Sequence, residues 1–251
     1  MFTPIIVDHN TTLYHGDCLE IIPQLARQEV KVDMILCDLP YGVTNHKDDK
    51  PVPFDKLWEC YDAIISEAGV IVLFAQGQFY VDLVNSNRKM FKYDLVWDKQ
   101  LSTGFLNANR MPLRRHESIA VFYKNFPIYN PQKRVGKPNH DKGTKHKTDA
   151  PTNQNYGEYK SVDTELSELK HPTSIISFQK PHPSKCVHRT QKPVALLEYL
   201  IKTYTHEGMT VLDNCMGSGS TGSACQNTGR RFVGIEKVDS IFQTAKNRLT
   251  I

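Results

Sequence analysis

The chain lacks several things, and each absence removes a class of protein. No apolar run approaches the roughly 20 residues that cross a bilayer as a helix, so no membrane span is expected. Met1-Phe2-Thr3-Pro4 has neither a basic opening nor a long apolar core, and no secretory signal is read there. Cysteines are few and scattered: Cys18, Cys37, Cys60, Cys186, Cys215 and Cys225, none in C-x-x-C spacing. That argues against a disulfide framework and a zinc knuckle, and fits a reduced intracellular protein. His140, His146, His171, His182 and His188 match no usual ligand spacing, so no metal is expected. No internal repeat is visible, which removes solenoids and propellers.

What remains is ordinary in bulk and uneven in detail. The 251 residues are 39% hydrophobic and 23% charged, enough for one large α/β domain. The net charge of +4 is concentrated: Lys124 to Lys192 holds 13 Lys and Arg against 6 Asp and Glu, so the rest is net negative. A local basic excess suits a polyanionic partner, and it equally suits a solvated loop region.

Along the chain, Thr11–His15 reads as a strand and Cys18–Arg27 as a short helix. Val32–Cys37 is an apolar strand. Residues 43–53 form a polar loop, either a lid or a surface connection. Phe54–Ala68 has a helical apolar face, with Gly69 expected to close it. Val70–Phe74 is a β-branched run typical of a strand buried on both faces. Gln78–Arg88 reads as a helix, Tyr93–Trp97 and Ser118–Tyr123 as strands, and Leu101–Arg115 as irregular. The alternation predicts a doubly wound, mostly parallel sheet. Periodicity stops from Lys124 to Cys186, too long a stretch for a plain connection; Ser174–Phe178 is its clearest apolar cluster. It returns with a helix over Pro193–Tyr204, a strand at Thr210–Asp213, a glycine-rich turn into a second helix, a strand Arg231–Glu236, and a last helix from Ser240 that Asp239 can cap. Three segments follow: residues 1–123, an insert 124–187, and residues 188–251.

Two constellations carry chemistry. The strand Val32–Cys37 ends in Asp38-Leu39-Pro40-Tyr41-Gly42, at the edge where open α/β sheets bind ligands. A carboxylate, a proline-fixed backbone and a flat ring together suit a planar heterocycle held by its exocyclic amino group. The second is Asp213, the turn Gly217-Ser218-Gly219, and Glu236 ending the next strand. Glycines admit a ligand close to the backbone, and Glu236 suits ribose hydroxyls. The third glycine of the dinucleotide pattern is absent and an acid precedes the turn. That favours a nucleoside bearing an amino acid, such as S-adenosylmethionine (SAM), over a pyrophosphate; a plain tight turn is the bland reading.

In this order the motifs resemble those of amino-group DNA methyltransferases of the β arrangement. There, a catalytic [DNS]-P-P-[YFW] motif precedes a cofactor motif D-P-F-x-G-S-G-T-T, with a target recognition region between them. Here the two are Asp38-Leu39-Pro40-Tyr41 and Asp213-Asn214-Cys215-Met216-Gly217-Ser218-Gly219-Ser220-Thr221. Gly16-Asp17, Trp97 with Lys99, His116-Glu117 and His188-Arg189-Thr190-Gln191-Lys192-Pro193 match further pieces. Leu39 departs from the second motif proline, and Asn214-Cys215 from Pro-Phe.

The resemblance implies a Rossmann-like class I methyltransferase fold with an irregular target-recognition insert. It implies Asp38, Leu39, Pro40 and Tyr41 as catalytic residues acting on the N6 amino group of a flipped-out adenine. SAM would be the cofactor, bound through Asp17, Asp213, Cys215, Gly217, Gly219, Ser220, Thr221, Glu236 and Lys192. Asp17 reads equally as a helix N-cap, and Lys192 equally as a surface lysine. Double-stranded DNA is the implied partner, with Arg110, Arg114, Arg115, Lys133 and Arg134 as contacts and a homodimer as one assembly. The implied location is the cytoplasm of a bacterial or phage-infected cell. Competing expectations are a cytosine-N4 enzyme, a methyltransferase for protein glutamine or an RNA amine, and a non-catalytic DNA-binding module.

Overall fold

The computed structural model describes residues 2–43, 49–137, 152–153, 157–158, 168–180 and 191–250. The middle of the 43–53 loop, the segment with Arg189, and His140, His146, His182 and His188 lie outside the described residues. The chain divides into two compact units, residues 1–130 with 174–251, and residues 131–173.

The first unit begins with β1 (Ile5–Ile6), β2 (Thr11–His15), α1 (Cys18–Arg27), β3 (Val32–Cys37), α2 (Phe54–Ile64), β4 (Ile65–Ala75), α3 (Gly77–Ser86), β5 (Phe91–Thr103) and β6 (Arg114–Phe122). The second unit holds β7 (Arg134–Val135), β8 (Thr152–Asn153), β9 (Gly157–Glu158) and β10 (Leu169–Lys170), paired antiparallel as β7 with β10 and β8 with β9. The first unit resumes with β11 (Ile175–Ser177), α4 (Val194–Tyr204), β12 (Thr210–Asp213), α5 (Ser220–Asn227), β13 (Arg231–Glu236) and α6 (Asp239–Leu249).

Nine strands form one sheet in the order β1-β2-β13-β12-β3-β4-β6-β5-β11. The pairings β2–β13, β13–β12, β12–β3, β3–β4 and β5–β11 are parallel; β6 runs antiparallel between β4 and β5. Strand periodicity shows why helices cover both faces. On β3 and β4, Ile35, Cys37, Ile71 and Leu73 pack with α1, α2 and α3, while Met34, Leu36, Val70 and Val72 pack with α4, α5 and α6. Successive residues point to opposite faces, so an unbroken apolar run serves two helical layers.

Three local expectations change. The helix from Phe54 stops at Ile64 rather than running to Gly69, because Ile65 already adopts extended backbone and pairs with Val32. Gly69 lies inside β4, where a Cβ would stand 2.6 Å from the Ile65 side chain, so the glycine permits a close return of the strand. Leu101–Arg115 is not irregular throughout: β5 runs to Thr103 and β6 starts at Arg114, joined by a short 3-10 turn at Phe105–Asn107. Asp239 is the first residue of α6 rather than its cap, which is Val238.

Candidate active site

Four neighbouring strands bring four acids to one edge. Leu212 of β12 pairs with Ile35 of β3, so Asp213 and Asp38 end adjacent parallel strands although 175 positions separate them. On the other side of β12, Asp213 pairs with Gly234 of β13, whose end is Glu236, and Glu236 pairs with His15 of β2, two residues before Asp17. This edge is where a doubly wound sheet opens a crevice for ligands.

Each acid has its own fixing partners. Asp38 accepts a 2.6 Å hydrogen bond from the Tyr41 hydroxyl on Oδ1 and one of 2.6 Å from Lys192 Nζ on Oδ2. The Tyr41 ring packs against Phe79 with centroids 4.8 Å apart. Burial raises the Tyr41 phenol above its ordinary value, and the Asp38 and Glu117 carboxylates add to this, so it stays a donor. Leu39, in place of a proline, is 3% exposed and belongs to the core cluster of α1 and α2. Pro40 is half-buried.

Lys192 is no surface lysine. Its side chain is 10% exposed and its Nζ also lies 3.2 Å from Glu117 Oε2, an ion pair without hydrogen-bond geometry. Glu117 Oε1 in turn accepts from the buried Lys99 Nζ at 3.3 Å. Burial alone would lower Lys192, but the Asp38 and Glu117 carboxylates outweigh it and raise its pKa. Burial would raise Glu117, and the two lysines hold it below its ordinary value. Burial pulls Lys99 down against the opposing pull of Glu117. Phe74 and Trp97 cover the ammonium of Lys192, with ring centroids 5.0 and 5.9 Å away. A lysine, glutamate and lysine thus run inward from Asp38 as a buried charge chain.

Around Asp213 the arrangement differs. Its Oδ2 accepts from Thr221 Oγ1 at 2.6 Å and its Oδ1 from the Cys215 amide at 3.2 Å. Burial pushes its carboxyl up to about 7 despite those bonds, and the nearby Asp38 charge adds to the rise. Glu236 accepts from the amides of Gly217 at 3.1 Å and Val238 at 2.8 Å, which fixes the carboxylate under the turn. Gly217 and Gly219 have φ of 53° and 77°, the left-handed region. A Cβ on Gly219 would meet Leu249 at 3.1 Å, whereas one on Gly217 would meet nothing within 4 Å. Gly219 is required by packing; Gly217 keeps backbone open.

Some expected residues already have partners within the protein. Asp17 caps α1 through the Leu19 amide and pairs with Lys237 at 2.8 Å; burial raises its carboxyl, and these partners bring it below the ordinary value. Ser220 Oγ accepts from Arg248 at 3.1 Å, and Thr221 is engaged with Asp213. Cys215 is half-buried, close enough to Asn214 that the amide donates to its Sγ at 3.6 Å. Asn214 accepts a 2.7 Å hydrogen bond from the Tyr61 hydroxyl and points into the core.

The family follows from the whole chain. The model of the N6/N4 DNA methylase family matches residues 32–247. The chain belongs to that family. It is 28% identical over 245 residues to the type II methyltransferase M.HpaI of Haemophilus parainfluenzae, covering 88% of this chain and 69% of the relative. To M.BglII, from Bacillus subtilis, it is 26% identical, covering 91% and 66%. Among solved structures, the M1.HpyAVI–SAM complex superposes with a TM-score of 0.64 at 27% identity over 95% of this chain and all of that one. The cytosine-N4-specific PvuII methyltransferase superposes at 0.62 with 12% identity, over 96% and 90%, a likeness of fold.

This DNA methylase therefore has a class I methyltransferase sheet, and its cofactor is SAM. The residues of the site fit that group: an open glycine backbone, a buried carboxylate held by neutral donors beside it, and a fixed acid on the next strand. Among the expected DNA contacts, Arg110 is exposed on the β5–β6 connection and Arg114 is exposed as the first residue of β6. Arg115 is exposed but already bound to Asp98 by bonds of 2.8 and 3.1 Å. Lys133 and Arg134 are exposed in the second unit. No helix among the described residues is long and apolar enough to cross a membrane, and no group of three or more His, Cys, Asp or Glu there could hold a metal ion.

Sequence reasoning assigned no role to the Lys99–Glu117 pair, the Tyr61–Asn214 bond or Lys237. The signal for the first was present: a lysine and a glutamate placed inside otherwise apolar strands are worth a search for each other.

Proposed function

We propose that this DNA methylase methylates the N6 amino group of adenine in double-stranded DNA. The observation that carries the reading is Asp38, held at a strand end between the Tyr41 hydroxyl and Lys192, one strand away from Asp213. An exocyclic amine is a weak nucleophile because its lone pair is delocalised into the ring. Each carboxylate oxygen of Asp38 keeps a lone pair beyond its present bond. One can accept an amine hydrogen while the Leu39 carbonyl accepts the other, favouring a tetrahedral nitrogen. When bound, SAM supplies an electrophilic methyl group. As the nitrogen lone pair bonds that carbon, its bond to the sulfonium sulfur would break with the electron pair staying on sulfur, and the N–H proton would pass to water, so Asp38 needs only to orient and polarise the amine. Inside a duplex the amine is out of reach, so the base must leave the stack. Tyr41, braced on Phe79, offers it a ring face.

Toward the cofactor, we assign Asp213 to the amino group, Glu236 to the ribose hydroxyls and the Gly217 backbone to the methionine portion. Asp17 supports the edge by capping α1, and Lys192 positions Asp38. An aspartate opening the motif favours adenine over cytosine. The test is incubation with labelled SAM and plasmid DNA, then nucleoside analysis. N6-methyladenine is expected; N4-methylcytosine as the product would overturn the choice of base.

A further inference from the structure

The connection between β5 and β6 combines two properties that soluble surfaces rarely join. Phe105 and Leu106 are 77% and 85% exposed at its tip, and Leu101, Met111 and Leu113 are exposed beside them. From residue 99 to residue 116 there is no Asp or Glu, while Arg110, Arg114 and Arg115 are all there. An exposed apolar cluster of this kind ordinarily marks an interaction surface, and its cationic frame selects an anionic partner.

The tip is built rather than slack. Gly104 turns with φ 89°, the Asn107 amide donates to the Gly104 carbonyl at 2.9 Å, and the amides of Arg110 and Met111 donate to the Asn107 carbonyl at 2.8 and 3.0 Å. Thr103 Oγ1 donates to the Arg114 carbonyl at 3.2 Å, and Arg115 clamps Asp98 across the two strands. Those bonds hold two apolar side chains outward.

Its place relative to Asp38 is set by the sheet. β6 is antiparallel to β4, so its first residues lie at the edge where β3 and β4 end, with Ser118 opposite Ala75. Glu117 touches Lys192, which touches Asp38. Arg114 is three residues further out, about 10 Å at strand rise, and Phe105–Leu106 lie beyond it.

We propose that Phe105 and Leu106 form a wedge that enters the DNA duplex and occupies the gap left by the flipped base, with Arg110 and Arg114 on the flanking phosphates. Apolar side chains inserted between base steps offset the lost stacking, and opening the stack is the step that exposes the amine. A two-fold contact between copies of this chain is less suited to the tip, because it would set the exposed Arg110 and Arg114 of one copy against the same arginines of the other. The proposal rests on the reading of the protein as a DNA methylase acting on a flipped base.

The experiment uses the full chain with Phe105→Ala and Leu106→Ala combined, and Phe105→Tyr with Leu106→Met as the conservative control. Both are assayed on a paired duplex carrying the site that methylation mapping identifies, and on the same duplex mismatched at the target base. 2-Aminopurine at the target reports flipping, and sedimentation the oligomeric state. The double alanine variant should lose about tenfold in kcat/KM and most of the 2-aminopurine signal on paired DNA, with a clearly smaller loss on the mismatch, where opening is easier. The conservative pair should retain both. Unchanged flipping and rate on paired DNA, equal losses on both substrates, or dissociation of a dimer would each overturn the wedge. If the wild-type chain methylates no DNA, the proposed function fails first, and that result is distinct from the others.

Discussion

Lys192 Nζ lies 2.6 Å from Asp38 and 3.2 Å from Glu117, so one ammonium sits between the acid after β3 and the acid of β6, with β4 between those two strands. Removing it leaves two poorly solvated carboxylates facing each other. Lys192→Met should therefore destabilise the fold by about 3 kcal/mol, the usual cost of breaking a buried pair, and lower Tm by roughly 10 °C. Lys192→Arg should recover part of the stability and less of the transfer rate, since Asp38 would be re-aimed. Thermal unfolding and single-turnover methylation check this. A Met variant as stable and active as the wild type would contradict the charge chain.

Asp38→Ala should reduce methyl transfer by at least about 100-fold, the loss typical of a positioned electrostatic or acid–base group. Cofactor affinity should stay within a few fold, because Asp213, Gly217 and Glu236 are untouched. Equilibrium SAM binding together with methylation of plasmid DNA separates the two. Full activity in the variant would remove Asp38 from the mechanism.

The pH dependence of cofactor binding should follow Asp213. Its carboxyl is pushed up to about 7 by burial, and a cationic amino group prefers the ionised form. Binding below that pH must displace a proton, so SAM affinity should fall as pH drops from about 7.5 to 5.5, by up to about tenfold per unit. Stability of the free protein should move the other way. A buried acid with a raised pKa stabilises the fold below its unfolded value, and that contribution is lost as pH rises through about 7. Asp213→Asn should flatten both profiles, measured by calorimetric titration and by thermal unfolding.

The two glycines of the turn should respond differently to alanine. At Gly219 the new Cβ meets Leu249 and Ala245 at 3.1 and 3.3 Å with φ at 77°. There the fold should lose about 2 kcal/mol or more. At Gly217 the Cβ enters open space with φ at 53°; the conformational cost is about 1 kcal/mol. Gly217→Ala should thus keep most of its Tm and lose SAM affinity. The comparison of unfolding with SAM titration discriminates packing from cradle.

By itself the sequence determined the elements and the chemistry at their ends. Apolar runs at Val32–Cys37, Val70–Phe74 and Thr210–Asp213 are local signals, and so are the Asp38 motif, the glycine turn and Glu236. Local signals do not state which strand lies beside which. Only the tertiary structure placed β12 against β3, and with it Asp213 beside Asp38, because parallel pairing is decided by long-range burial on both faces of the sheet. The same packing turned Lys192 from a solvent-facing candidate into the counter-ion of Asp38 and Glu117. It also converted an apparently irregular stretch into the hairpin that carries Phe105 and Leu106, since strand extension past Trp97 depends on its antiparallel partner β6 rather than on its own residues.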